Sequence, residues 1–138
     1  MEFVDHAADF GMEVRAPTLE ACFARAAAGV FASFVPHSPW GGGQAARTVE
    51  VRLEEAGLEQ LLVAWLEELL YESEVTGLLF FDFEVDQIAE EVMIGRATGR
   101  RPAAGEEPAG PAVKAVTWHG LELVQENGAW RARVFLDV

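Results

Sequence analysis

Two acidic groups meet at the end of the sequence: the Asp137 side chain and the main-chain carboxylate of Val138. They follow an alternating segment that predicts a β-strand, so we expect the terminus to be held in place rather than frayed. Two carboxylates held close together repel each other unless a cation or a basic side chain offsets them. The sequence therefore indicates a candidate functional site here, and an exposed, solvated terminus is the simpler alternative.

Few other polar residues are placed to do chemistry. His6 and Asp9 lie at the start of the first predicted strand, and Lys114 and His119 flank the penultimate one. A single histidine beside a strand is more often a hydrogen-bonding residue than a ligand. The one cysteine, Cys22, excludes an internal disulfide and a cysteine-based metal site, and its amphipathic surroundings predict a core position. Oxygen donors without cysteine suit Ca²⁺ or Mg²⁺ better than Zn²⁺.

The elements that must position these residues begin with a C-terminal hairpin. Asn127-Gly128 separates two alternating segments, and this dipeptide favours a tight turn because both residues accept positive φ. In the last strand one face carries Trp130, Ala132, Val134, Leu136 and Val138, and the other carries Arg131, Arg133, Phe135 and Asp137.

Hydrophobic periodicity predicts two helices and four further strands upstream of the hairpin. This order predicts one domain over 1–138 with an α+β fold: a single mixed or mostly antiparallel sheet with two helices packed on one face. Pro- and Gly-rich segments predict loops at 36–46 and 99–112. The helices are expected from a Thr18 cap to about Phe34 and over 58–71, and the strands over 9–16, 47–54, 79–86 and 91–98.

Composition narrows the class of partner. Half of the 138 residues are apolar. The formal net charge of −13 disfavours direct nucleic-acid binding and suits a cation or a basic protein surface. The polar face of the second helix carries only acidic residues, a pattern typical of a solvated face, with docking of a basic partner as the alternative. No long apolar run or signal peptide is present, so we expect a soluble cytoplasmic protein without membrane contact. The acidic residues on the polar face of the second predicted helix are Glu59, Glu67, Glu68 and Glu72.

Three segments resemble the archease family. Residues 6–11, His-Ala-Ala-Asp-Phe-Gly, are similar to its opening His-Thr-Ala-Asp-Ile-Gly, with Ala7 where the family usually has Thr. Residues 113–119, Val-Lys-Ala-Val-Thr-Trp-His, are similar to its Val-Lys-Ala-Val-Thr-Tyr-His, and residues 136–138 to its closing Leu-Asp-Ile/Val. The leucine-rich helix ending at Tyr71 also fits, so the resemblance runs along essentially the whole chain.

The resemblance implies an accessory role. Archeases assist the RNA ligase that joins 2′,3′-cyclic-phosphate and 5′-hydroxyl ends in tRNA splicing and RNA repair. They promote its guanylylation, allow multiple turnover and broaden its nucleotide use. Carried over by motif, the divalent-cation ligands are Asp9, Asp137 and the Val138 carboxylate, with Ca²⁺ expected first and Mg²⁺ or Mn²⁺ as alternatives. Lys114 matches a position tied to function, while His6 and His119 match positions without an assigned role.

Two other classes of function stay open from the sequence. One is a metal-dependent hydrolase using Asp9, Asp137 and His119, although the sequence carries no HExxH, P-loop, GxSxG or CxxC motif and no adjacent nucleophile–base pair. The other is a chaperone-like binding module that uses the acidic helix. A substrate screen and the specificity of a pull-down experiment would separate these from the accessory role.

Overall fold

The computed structural model describes residues 9–32, 46–102 and 115–137, with residues 9 and 10 as backbone only. The predicted loop segments 36–45 and 103–112 lie outside these ranges, as do His6, Lys114 and Val138. Six strands and two helices follow one another in the predicted order. Their bounds are β1 Asp9–Ala16, α1 Leu19–Ala32, β2 Arg47–Glu54, α2 Leu58–Thr76, β3 Leu79–Ala89, β4 Val92–Arg100, β5 Ala115–Glu126 and β6 Ala129–Asp137.

The α+β class is confirmed, but the expectation of a single sheet is wrong. The strands form two antiparallel three-stranded sheets, with orders β1-β6-β5 and β2-β4-β3. The reason is that β6 and β4 are central strands, each of which uses both of its edges on its own two neighbours. The first and last strands of the described chain therefore pair directly, and the sheet that they form with β5 carries the candidate site.

The helices lie against both sheets and join their inner faces into one core. Each helix contacts strands of each sheet. The buried Trp65 indole of α2 donates a hydrogen bond to the Phe23 carbonyl of α1 at 3.0 Å, so its only polar atom is satisfied inside the core. Cys22 is fully buried, as its amphipathic position predicted. Because apolar residues of both sheets and both helices share this core, the outer faces are left to solvent.

Several element boundaries differ from the prediction. Helix α2 continues to Thr76, where Gly77 ends it with a φ of 77° and donates to the Ser73 carbonyl. This is a left-handed cap that glycine adopts without strain. Strand β3 runs to Ala89, and β4 covers the first two residues of the segment predicted as a loop at 99–112. At the start of α1 the Thr18 cap is confirmed, since its hydroxyl accepts the Ala21 N–H at 3.1 Å.

Two of the predicted strands, 9–16 and 47–54, have the observed bounds. The hairpin turn is also confirmed, with φ of 54° at Asn127 and 76° at Gly128. No helix within the described ranges is long and apolar enough to cross a membrane.

Candidate functional site

Strand β6 is the centre of the candidate site because it lies between β1 and β5. Its inward residues Ala132, Val134 and Leu136 are buried, which fixes the direction of the alternate residues. Arg131, Arg133, Phe135 and Asp137 therefore lie along the outer face, as the alternation predicted.

The register of the sheet brings the two predicted aspartates together. Asp9 of β1 is the direct partner of Asp137 on β6, and Ala115 of β5 is the partner of Asp137 on the other side. Directly opposite residues in an antiparallel pair lie on the same face, with Cβ atoms about 5 Å apart. The alternation of side chains along each predicted strand could not establish this pairing, whereas the observed register does.

Two further predicted site residues adjoin this pair in the chain. Lys114 is bonded to Ala115, and Val138 is bonded to Asp137. Both lie outside the described residues, so the proposed roles of Lys114 and of the terminal carboxylate stay predictions.

The rest of the outer face is a charge-balanced ion-pair network, which we call the arginine cluster. Arg131 is at its centre, with its guanidinium nitrogens 3.1 Å from a Glu13 carboxylate oxygen, 2.9 Å from Glu122 and 3.0 Å from Glu126. Three arginines thus face three glutamates across three strands. The full cluster is Glu13, Arg15, Glu122, Glu126, Arg131 and Arg133.

The cluster changes the proton affinity of its members. Hydrogen bonds accepted by Glu122 and Glu126 raise the pKa of the Arg131 guanidinium further above its already high value. The hydrogen bond from Arg131 lowers the pKa of the Glu126 carboxyl below its usual range. Both shifts favour the charged forms, so these acidic groups are compensated by the protein itself.

Asp137, at the other end of the same face, is not compensated in this way by the described residues. Within the described residues Asp137 forms no ion pair, and the Arg131 and Arg133 guanidinium groups bind the glutamates instead. Two acidic residues at facing strand positions repel each other. Two hard oxygen donor groups at facing strand positions suit a divalent cation of the Ca²⁺ or Mg²⁺ type. The residues at this end therefore fit the expected group.

The described residues alone do not complete a metal site. They contain no group of three or more His, Cys, Asp or Glu side chains able to hold a metal ion. The Asp9 side chain and Val138 are outside that set. The cation site thus stays a prediction, supported by the register and by the charge imbalance.

His119 lies apart from the aspartate pair. It is exposed on an irregular segment of β5, and its backbone N–H donates to the Thr117 hydroxyl at 3.0 Å. The register places it opposite neither Asp9 nor Asp137. His6 lies outside the described residues, so the structure assigns neither histidine a role at the site.

One contact near the pair was not predicted from the sequence. Phe135, next to Asp137 on the outer face, has its ring over Gly11 and Gly120 of the two neighbouring strands. The sequence contains a signal for this contact: Phe135 lies on the outward face of the last predicted strand, and Gly11 follows Asp9 by two residues in the first. Aromatic residues commonly cover glycine in sheets.

Comparison with known proteins agrees with this architecture. Residues 1–138 match the archease protein family. The chain therefore belongs to that family.

The relatives include the archease of Methanosarcina barkeri, 34% identical over 99% of this chain and 94% of that protein. The archease of Methanosarcina mazei is 36% identical with the same coverage. The solution structure of Methanobacterium thermoautotrophicum protein 1598 matches with a TM-score of 0.70 and 31% identity, over 95% of this chain and 93% of that one. A Thermotoga maritima archease, described as a possible chaperone, has a TM-score of 0.66 at 15% identity over 96% and 93%, which supports the fold alone.

Proposed function

We propose that this protein is a non-enzymatic activator of the RNA ligase that joins 2′,3′-cyclic-phosphate and 5′-hydroxyl ends. In this role it promotes guanylylation and multiple turnover of the ligase in tRNA splicing and RNA repair, in the cytoplasm. The observation that carries the proposal is the strand pairing of Asp9 with Asp137, together with the absence of any ion pair from Asp137 to the described residues. Family membership supports the choice of the ligase as the partner, and the register of the strands supports the choice of the site.

The residues that would hold the cation are Asp9, Asp137 and the Val138 carboxylate. When bound, a divalent cation neutralises and orients phosphate oxygens, which is the chemistry that guanylylation requires. The chain's own contribution is to keep its carboxylates at the rim of a sheet, where a second protein can approach them. The Arg131 and Arg133 guanidiniums are kept on the glutamates of the arginine cluster, and neither forms an ion pair with Asp137 within the described residues.

A protein partner is also supported by helix α2. Tyr71 and Val75 are 59% and 62% exposed, and acidic side chains lie among them. Burial, a side-chain hydrogen bond with Glu72 and the nearby charge of Glu72 together raise the pKa of the Glu68 carboxyl. Exposed apolar side chains within a one-sign face suit docking to a basic protein that has an apolar pocket. A ligase that binds RNA must present basic surface.

The proposal is tested by guanylylation of the ligase in the presence of Asp9→Ala, with Glu13→Ala as the matched control. Both changes remove a carboxylate from the outer face of β1, but Glu13 belongs to the arginine cluster. We expect Asp9→Ala to lose stimulation and Glu13→Ala to keep it. Full stimulation by Asp9→Ala contradicts the proposal. Turnover of phosphoester or peptide substrates by the isolated protein would favour the hydrolase instead.

A further inference from the structure

The Phe135 ring fills a space that two glycines leave open. A methyl group added at Gly11 of β1 would lie 2.8 Å from Phe135 Cε2, and one added at Gly120 of β5 would lie 2.6 Å from Cε1. Both separations are shorter than carbon atoms tolerate. The ring therefore spans from β6 onto both neighbouring strands, and only glycine at positions 11 and 120 permits this.

The β5 side of this contact is a bulge. Four residues, 118–121, lie between the pairs Thr117–Phe135 and Glu122–Arg133, where β6 has only Val134. Gly120 has a φ of 77°, a conformation that glycine adopts without strain. The Phe135 ring lies directly against Gly120 of this bulge. The ring therefore fixes the bulge against the sheet.

The three-strand contact lies immediately before the aspartate pair. Phe135 pairs with Gly11, and the next positions on the same face are Asp137 and Asp9, about 7 Å further along the strands. These are also the last described positions of β6 and the first of β1, where strand ends fray most easily. A ring that crosses all three strands at this level restrains the facing positions.

We infer that Phe135 is a positioning residue for the cation site: its ring, seated over Gly11 and Gly120, holds Asp9 and Asp137 at their facing positions. This inference rests on the proposed function. The core beneath the sheet is formed by the opposite face, where Val134 and Leu136 are buried, so the ring is not part of that core. Residues that orient metal ligands without binding the metal typically contribute 10- to 100-fold to affinity.

The test is calorimetric titration of the full chain with CaCl₂, accompanied by thermal unfolding without the cation. We expect Gly11→Ala and Phe135→Ala each to weaken Ca²⁺ binding by about tenfold or more. The double variant should bind no more weakly than Phe135→Ala, because the added methyl conflicts only with the ring. Phe135→Leu, which keeps most of the apolar volume, is expected to bind with intermediate affinity and guards against a Phe135→Ala protein that fails to fold.

Two controls separate positioning from loss of stability and from failure of the site. Phe83→Ala removes a partly buried ring from the other sheet, 5.6 Å from the Phe31 ring, and should lower the unfolding midpoint without changing Ca²⁺ affinity. Asp137→Asn should lose binding. Wild-type affinity in Gly11→Ala and Phe135→Leu, with binding lost in Asp137→Asn, overturns the positioning role alone. Wild-type affinity in Asp137→Asn overturns the cation site and this inference together.

Discussion

The acidic residues at the two ends of one sheet face differ in whether arginine side chains bind them. At the hairpin end, three glutamates are matched by three arginines across β1, β6 and β5. At the other end, Asp9 faces Asp137, and no described basic side chain binds Asp137. Strands β1 and β6 carry both arrangements, so the difference in charge compensation depends on which residues lie opposite each other.

This contrast shows which acidic residues stabilise the fold and which are available for binding. A glutamate already bound by Arg131 gains little from an external cation, because its charge is compensated and its hydrogen bonds are made. Asp137 has no such partner within the described residues, so it gains from a cation that enters between it and the facing Asp9. The arginine cluster is therefore structural, and the aspartate pair is the candidate for function.

The largest expected effect comes from extending the chain beyond Val138. A short C-terminal tag converts the terminal carboxylate into an amide and moves the charge away, so we expect divalent-cation binding to be abolished. The fold should persist, since β6 and the arginine cluster are unchanged. Calorimetric titration of tagged and untagged protein measures this, and equal affinities would exclude the terminal carboxylate as a ligand.

The second prediction concerns the acidic face of α2, which also lacks basic residues. Reversing Glu67 and Glu68 to Lys should slow association with the ligase by about tenfold at low salt, because opposite charges steer encounter. Wild-type association should itself slow as salt rises. The helix is expected to stay folded, since lysine is a good helix former and loss of Glu68 relieves its repulsion with Glu72.

Stopped-flow association rates at low and high salt measure this effect. Reversal of Glu90 and Glu91, exposed residues of the β3–β4 turn, gives the same change in net charge at another place and serves as the control. Equal rates for the two double variants would mean that net charge alone matters. Rates independent of salt would leave the acidic face with a role in solubility only.

A smaller effect is expected within the arginine cluster when pH changes. The pKa of Glu126 is lowered by its hydrogen bond from Arg131, so its contribution to stability is present above the ordinary glutamate pKa of about 4.3. That contribution is lost as pH falls through the lower, folded-state value. Glu126→Gln should therefore be less stable than wild type at pH 7, and the difference should close below about pH 4. Urea unfolding across this range measures it, and a difference that does not change with pH would contradict the assignment.

The smallest expected change in stability is that of Lys114→Ala. We expect the free energy of unfolding to stay within about 0.5 kcal/mol of wild type, as for a surface substitution, while activation of the ligase falls. Lys114 precedes the residue that pairs with Asp137, which places it in the chain next to the candidate site. Normal activation of the ligase by a folded Lys114→Ala protein would mean that Lys114 is only a solvated lysine at the edge of a strand.

Much of the fold follows from local sequence patterns. The alternating segment 9–16, the Thr18 cap and the Asn127-Gly128 turn each depend on neighbouring residues, and each is confirmed. The C-terminal end of α2 was placed too early because the apolar periodicity stops before the backbone hydrogen bonds do, and Gly77 ends the helix.

The rest depends on contacts between residues distant in the chain. The division into two sheets requires that β1 pair with β6, which lies more than a hundred residues away. The site shows the same limit: the sequence indicated Asp137 through its strand, whereas Asp9 as its partner came from the resemblance and from the register. The Phe135 contact with Gly11 and Gly120 was missed because three strands must meet before it exists.

The most direct test of the aspartate pair as a cation site is urea unfolding of wild type, Asp137→Asn and Glu13→Gln, with and without Ca²⁺. Without the cation, we expect Asp137→Asn to be more stable than wild type by about 0.2–1 kcal/mol, since it removes a repulsive pair. Glu13→Gln should be less stable, because it removes a partner of Arg131. With Ca²⁺ at 100 times its Kd, wild type and Glu13→Gln should both gain about 2.7 kcal/mol, and Asp137→Asn should gain nothing. An equal gain in all three proteins, or none in wild type, would contradict the account.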